Sequence, residues 1–393
     1  MKKTIKLAVV AALALGATSA FATNGSTMIA TGAKATGMAG TGIGMSHGAE
    51  SALVNPALIT SVEGTEVSFG GTFFMPKVAN NMGAGSADSD AKLSVVPTVA
   101  LASKITDNFY MGVGMWGTAG MGVDYRGINN NVNMVTNLQL MQFGVPLAYK
   151  VEGFSFAVTP LLQYGALDIN YDGSLMGGPK STTQGVAQDL KFGYNLGLSY
   201  EISGLTVGAV YKSQIDMDYK GQISHAMSDF TGPFTTPSMF SDKLSTPAEM
   251  GVGISYAFGG NTIAVDYKQI KWEDAKGYKD FAWKNQDVIA LGYQYATKDW
   301  AARLGYNHAK SPISEQSGPM GGLLNTFNLL GFPAIVESHI AVGGSYNLTQ
   351  KASVDLAYVY TPEATATYKG QMGQNITTKH SQTAVSAQVN FKF

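Results

Sequence analysis

The sequence has 393 residues, a formal net charge of −1 and no cysteine. The charge balance gives no electrostatic case for nucleic-acid binding, and without thiols there is neither a disulfide framework nor a thiolate site. Charged residues make up 13% of the chain, about half the roughly 25% usual in soluble domains, yet no stretch after residue 22 approaches the about 20 apolar residues of a membrane-spanning helix. With 47 glycines and 19 tyrosines this points to a transmembrane β-barrel; a secreted β-sandwich or β-helix is the alternative.

In chain order, residues 1–22 read as a signal peptide. Lys2, Lys3 and Lys6 form a basic start, Leu7 to Leu15 an apolar run, and Ala20-Phe21-Ala22 an A-x-A cleavage pattern. The mature chain is expected to begin near Thr23, and losing three lysines takes the formal charge from −1 to −4.

Residues 23–64 hold a segment unlike the rest. Gly32 to Thr60 has glycines at 32, 37, 40, 42, 44 and 48, each costing about 1 kcal/mol relative to Ala inside a helix. It lacks the alternation of a strand. So flexible a segment cannot offset its own ordering entropy, and it is expected as a small plug held inside the barrel that residues 65–393 form. Asn55-Pro56-Ala57, within Ala49 to Thr60, resembles the hatch of the FadL family of outer-membrane transporters of long-chain fatty acids and other hydrophobic compounds.

Fourteen alternating segments follow, at 65–76, 93–103, 108–121, 133–150, 153–170, 188–202, 204–219, 248–258, 261–273, 283–296, 299–310, 335–348, 351–361 and 380–393. The even number suits a single-chain bacterial barrel. Val354, Leu356, Tyr358 and Tyr360 alternate with Ser353, Asp355 and Ala357, and Ile263, Val265 and Tyr267 with Ala264, Asp266 and Lys268: one face suits acyl chains, the other a polar lumen. Trp116, Trp272, Trp283 and Trp300 fall at or near strand ends and are expected in the aromatic girdles; ordinary packing is the alternative. The final strand carries Val385, Ala387, Val389, Phe391 and Phe393 on one face, resembling outer-membrane proteins presented to the barrel-assembly machinery. Short connections (104–107, 151–152, 203, 259–260, 297–298, 349–350) alternate with long ones (77–92, 122–132, 171–187, 220–247, 274–282, 311–334, 362–379), as periplasmic turns and extracellular loops do.

The resemblance to the FadL family extends along the mature chain. Tyr211 to Gly221 looks like the family's seventh strand, Leu244 to Met250 with Tyr267 to Trp272 its eighth and ninth, and Trp300 to Tyr306 with Ser311-Pro312 its eleventh. Loop 171–187 departs from the pattern: it is shorter than in the fatty-acid transporters, where it helps to form the ligand-capture surface. The resemblance implies passive transport of long-chain fatty acids or related lipids and hydrocarbons. The implied partners are a hydrophobic small molecule, outer-membrane lipid and the barrel-assembly machinery, for a monomer in the outer membrane of a Gram-negative bacterium. A hydrocarbon channel, a polar-solute porin and an adhesive barrel are the other readings.

No reaction centre and no cofactor site emerges. Gly112 to Gly117 matches G-x-G-x-x-G, but within a strand that no helix follows. The histidines at 47, 225, 308, 339 and 380 show no metal-ligand spacing, and there is no G-x-S-x-G elbow. Gly112, Gly114, Gly117 and Gly120 lie in the third strand, where interior glycines mark a bulge or a close backbone approach. The resemblance implies lateral release of ligand through a gap there; accommodation of hatch residues is the alternative. The long loops are apolar. Met227, Phe230, Phe234, Met239 and Phe240 in one, and Leu324, Phe327, Leu330 and Phe332 in another, are expected to form a capture groove or to cover one another as loop cores. In the hatch, Asn55, Pro56 and Ala57 form the gate turn, and Lys34 and His47 either meet an anionic head group or make solvated lumen contacts.

Overall fold

The computed structural model describes residues 23–176, 185–231 and 240–393; the predicted signal peptide lies outside them. The sheet is built from fourteen strands: β1 (Thr65–Asn81), β2 (Ser94–Lys104), β3 (Phe109–Asp124), β4 (Val135–Gly144, resuming at Leu147–Val151), β5 (Phe154–Asn170), β6 (Ala187–Ile202), β7 (Leu205–Lys212), β8 (Glu249–Phe258), β9 (Asn261–Ile270), β10 (Gln286–Ala296), β11 (Trp300–Ala309), β12 (Ser338–Asn347), β13 (Ala352–Lys369) and β14 (Asn375–Lys392). Each pairs antiparallel with its neighbours in sequence, and β14 pairs with β1 from Lys392↔Glu66 to Thr377↔Asn81, which closes the barrel. Closure pairs the first strand with the last, so the sheet has no free outer edge strand.

The two faces follow the predicted alternation. On β13, Leu356 is 60% exposed and Asp355 1%. Ile263, Val265 and Tyr267 face out on β9 while Ala264 and Asp266 are buried. The tryptophans correct the girdle expectation: Trp300 is exposed, but Trp116, Trp272 and Trp283 are buried inside. The indole N–H groups of Trp272 and Trp283 donate to Gln286 Oε1 (2.8 Å) and Asn328 Oδ1 (3.0 Å), partners that an outward-facing ring would not have.

Two predicted connections differ. The expected loop 362–379 is mostly strand, because β13 and β14 continue as a hairpin to Lys369 and Asn375. Its Ala and Thr alternation carries no apolar face to read. Conversely β7 stops at Lys212, and the following residues hold on only through the bridges Ile215↔Thr246 and Asp218↔Lys243.

The segment 23–64 packs against the inward faces of strands all round the barrel. A hairpin (Thr23↔Met28) leads into a short helix α1 (Ala33–Gly37) and two 3₁₀ turns, Gly48–Leu53 and Pro56–Ser61. Asp266 of β9 accepts from the Gly42 and Ile43 amides at 2.7 and 2.8 Å. Ser255 of β8 donates to Gly44 O, Asn307 of β11 donates to Ala39 O, and Thr60 pairs with Ser155 of β5. These bonds satisfy a backbone that regular structure does not.

The wall makes room by omitting side chains. A Cβ on Gly208 would lie 1.8 Å from Ile43 O, one on Gly253 2.6 Å from Gly44 N, and one on Gly305 2.3 Å from the Met38 carbonyl carbon.

Candidate functional site: an apolar chamber, a buried segment and a break in the wall

At the long-loop end, helix α2 (Ile223–Thr231), helix α3 (Gly321–Gly331) and the loop 271–285 pack together in one buried apolar cluster. Phe281 and Phe327 stack with centroids 4.8 Å apart, and Trp272 meets Trp283 edge-on at 5.0 Å. Between them lies a cavity of about 290 Å³ lined by Met121, Ile169, Leu244, Tyr278, Phe281 and Phe332 among others. Asn328 is the lone amide of the lining, and both its side-chain groups are engaged, with Trp283 and with Phe281 O. As it stands this is a narrow gap, with room for about one water molecule.

Of the predicted capture residues, Met227, Phe240, Phe327, Leu330 and Phe332 are buried in this one cluster, and Leu324 packs against it partly buried. They form a packed loop core with a cavity in it rather than an open groove. Phe230 lies on α2; Phe234 and Met239 lie outside the described residues. Trp272, Tyr278, Phe281 and Trp283 were not expected here. Tyr278 and Phe281 fall in the connection 274–282, which reads from sequence as an ordinary long loop, and Trp272 and Trp283 at the ends of the segments flanking it.

The N-terminal segment touches this chamber. Ser26 Oγ lies 3.0 Å from Tyr278 OH, and a Cβ on Gly25 would meet the Trp272 ring at 2.6 Å. The same hairpin reaches β3: Thr27 bridges to Ala119, and Gly120 N donates to Ser26 O at 3.1 Å.

That bridge is possible because β3 lacks a partner there. β2 pairs with β3 only from Lys104↔Tyr110 to Thr98↔Trp116, whereas β2 continues along β1 to Ser94↔Phe74. On its other side β3 shifts register against β4 between Gly117 and Ala119. The wall between β2 and β3 is therefore unladdered beyond Trp116, and Val96 fills the space, its Cγ1 2.3 Å from where a Gly117 Cβ would be. The four singled-out glycines have distinct surroundings. A Cβ at Gly112 would meet Leu101 O, and one at Gly114 would meet Trp116 and Leu53. Gly117 is at the bulge, and Gly120 donates its amide to the segment.

Deeper in the lumen a second cavity, of about 590 Å³, is lined by segment residues Met28, Ile29 and Val54 and by Val210, Val288 and Ala290 of the wall. Lys212, Glu249 and Lys268 also line it, with Glu249 3.4 and 3.6 Å from the two ammonium groups. One carboxylate serves two cations.

Nearer the short-turn end, Lys34 lies 3.8–3.9 Å from Glu50, Glu66 and Asp355. Glu50 accepts from Gln388 Nε2 at 2.7 Å and from the Lys34 amide at 3.2 Å. Burial pushes the Glu50 carboxyl up to about 7 against the pull of Lys34. Burial likewise lowers His47 to about 4, against its bond to Thr41 O, which lies 2.7 Å from Nε2. Asn55 Nδ2 donates to Ile43 O and, across to β6, to Leu198 O, while its Oδ1 caps Ala57 N. Lys34, His47, Asn55, Pro56 and Ala57 are thus built into the segment's own scaffold and its attachment to the wall.

Residues 10–393 match the profile of a family described as outer membrane protein transport protein (OMPP1/FadL/TodX). The 47 kDa outer membrane protein of Pasteurella multocida (strain Pm70) is 23% identical, over 90% of this chain and 92% of that protein. Among solved structures, a Pseudomonas aeruginosa FadL homologue superposes with a TM-score of 0.72 at 15% identity, over 94% of this chain and all of that one. The P. putida toluene transporter TodX gives 0.66 at 17%, and the Ralstonia pickettii toluene transporter TbuX 0.68 at 16%, each over 92% of this chain and 98% of theirs. At these identities the structural likeness carries the fold.

Proposed function

Because the chain belongs to the OMPP1/FadL/TodX family of outer-membrane transport proteins, which are transporters and not enzymes, we propose that it admits long-chain fatty acids or related hydrophobic molecules passively, through the chamber under its loops and out through the wall at β3. The protein resides in the outer membrane and serves transport of hydrophobic compounds. The observation that carries the reading is the missing ladder between β2 and β3 beside an interior occupied by residues 23–64. An apolar solute that leaves sideways there enters lipid without crossing water, which keeps its apolar surface buried throughout.

In this reading residues 23–64 are the hatch. Ligand in the chamber presses on Tyr278 and so on Ser26, and the hairpin Thr23–Met28 lets go of β3. Gly117 and Gly120 leave β3 free of side chains along the exit, while Gly112 and Gly114 lie in the laddered part of the strand before it. Lys212 and Lys268 supply the cation beside an apolar space that a carboxylate head needs. A second reading, uptake of aromatic hydrocarbons, is favoured by the outer cavity, whose lining carries no charge. A polar-solute porin is disfavoured by the filled lumen.

Uptake of labelled oleate, labelled toluene and a polar sugar, in cells lacking such a transporter, tests the reading. Entry of oleate or toluene but not sugar is expected; sugar entry alone would overturn it. The hatch is tested separately. A Cβ on Gly292 would lie 3.2 Å from Met38 Cβ, so a small outward shift of the segment would bring the pair into the about 3.5–4.5 Å of a disulfide. Cross-linking Met38→Cys to Gly292→Cys should stop uptake reversibly with the barrel folded; unchanged uptake would contradict gating.

A further inference from the structure

Four inward side chains stand side by side on β11 to β14: Asn307, His339, Thr361 and Gln382. Asn307 is opposite His339 and Thr361 opposite Gln382, and none is more than 1% exposed. One step toward the short turns, the corresponding inward positions are Gly305, Ala341, Val359 and Ala384, all paired in register. The wall thus changes from apolar to polar in a single step.

The polar row is incompletely satisfied. His380 Nδ1 donates to Pro333 O at 2.8 Å, so its Nε2 accepts from Gln382 Nε2 at 3.0 Å, and Gln382 Oε1 is left over. Asn307 spends its amide N–H on Ala39 O, and its Oδ1 is left over. Thr361 Oγ1 has no hydrogen-bond partner, and the His339 ring makes no well-aligned bond of its own, with the Gln382 side chain and the Asn307 backbone close to it. Buried polar groups are nearly always paired, and each orphan here is destabilising where the row below shows that Ala and Val pack well.

The row also lies between two spaces. Asn307 lines the lumen cavity beside the segment. Ser338 and Pro362, the chain neighbours of His339 and Thr361, line an open notch in the outer wall. The β12–β13 ladder ends at Ile340↔Tyr360, directly below, and β13 bulges between Thr361 and Ala364. Among the described residues no group of three His, Cys, Asp or Glu could hold a metal ion, and the row contains no carboxylate or ammonium.

We propose that Asn307, His339, Thr361 and Gln382 form a hydrogen-bonding subsite for the uncharged hydroxyl or carbonyl group of a hydrophobic permeant, such as an alkylphenol or a fatty alcohol. Asn307 Oδ1 and Gln382 Oε1 accept from its hydroxyl, while Thr361 and His339 can donate to its oxygen. The apolar body lies along the lumen cavity. This rests on the transport reading above and extends it to permeants with a neutral polar group.

The test uses the full chain in detergent micelles and measures p-cresol and toluene binding by calorimetry, with heat-resistant gel mobility reporting an intact barrel. Thr361→Val is nearly isosteric and Thr361→Ser keeps the hydroxyl; His339→Leu is the stronger lesion. Thr361→Val and His339→Leu should each weaken p-cresol by roughly five- to tenfold with toluene unchanged, and Thr361→Ser should bind as wild type. Equal p-cresol binding by all variants would mean that ordered water alone fills the row, and would overturn the subsite while leaving transport intact. Parallel loss of both ligands would overturn it too, as a structural effect. Failure of either ligand to bind the wild-type chain would count against the subsite and the transport reading together.

Discussion

Asn55 joins three parts of the chain with one side chain: the turn at Ile43, the β6 backbone at Leu198 and the 3₁₀ turn it caps at Ala57. Asn55→Ala should leave those groups unpaired and cost the docked segment about 1–3 kcal/mol. The expected outcome is faster proteolytic nicking within residues 40–60 at unchanged barrel heat resistance. Glu50 gives a pH signature. Its pKa rises from 4.5 to about 7 on docking, so the stability it contributes is full below about 4.5 and is lost as pH rises toward 7. His47 acts oppositely: its pKa falls from 6.5 to about 4, so its contribution is present above 6.5 and is lost as pH falls through 4. Hydrogen exchange of residues 32–50, corrected for intrinsic rates, should show Glu50→Gln flattening the decline between pH 5 and 7 and exposing the rise due to His47. Identical pH profiles would show that Glu50 does not titrate with docking.

At the scale of elements, the strands were legible because a barrel wall has a period of two and a different solvent on each face. Fourteen segments could be read even where their ends shifted by several residues. Other features depended on partners distant in sequence. A glycine such as Gly253 or Gly305 in a strand looks like any bulge or weak spot, and nothing local says that Gly44 or Met38 lies against it. The loop residues Phe327 and Leu330 read as apolar, but whether they cover a groove or one another is decided by Phe281, Trp283 and Phe240 from other connections. Trp272 and Trp283 were misjudged because nearness to a strand end does not say which way the ring points. The glycine contacts carry their own prediction. Gly253→Val would place its Cβ 2.6 Å from Gly44 N and 2.1 Å from Asp266 Oδ1, so the segment should undock from β8 and β9. Liposomes bearing this variant should admit a small sugar that the wild-type protein excludes; continued exclusion would show that the segment tolerates displacement without opening the lumen.

For the whole molecule, the fold joins an apolar chamber, a buried segment and an unladdered stretch of wall through a short chain of contacts: Tyr278 to Ser26, Ser26 and Thr27 to Gly120 and Ala119. The absence of cysteine makes the last link testable without background. A Cβ on Gly117 would lie 3.7 Å from Val96 Cβ, within the about 3.5–4.5 Å that a disulfide requires. The most direct measurement is oleate and toluene uptake by the Val96→Cys, Gly117→Cys double variant, oxidised and reduced, with the extent of cross-linking read from the same cells. Lateral release through the β2–β3 break predicts uptake lost on oxidation and restored by a membrane-permeant reductant. Full cross-linking with undiminished uptake would contradict it.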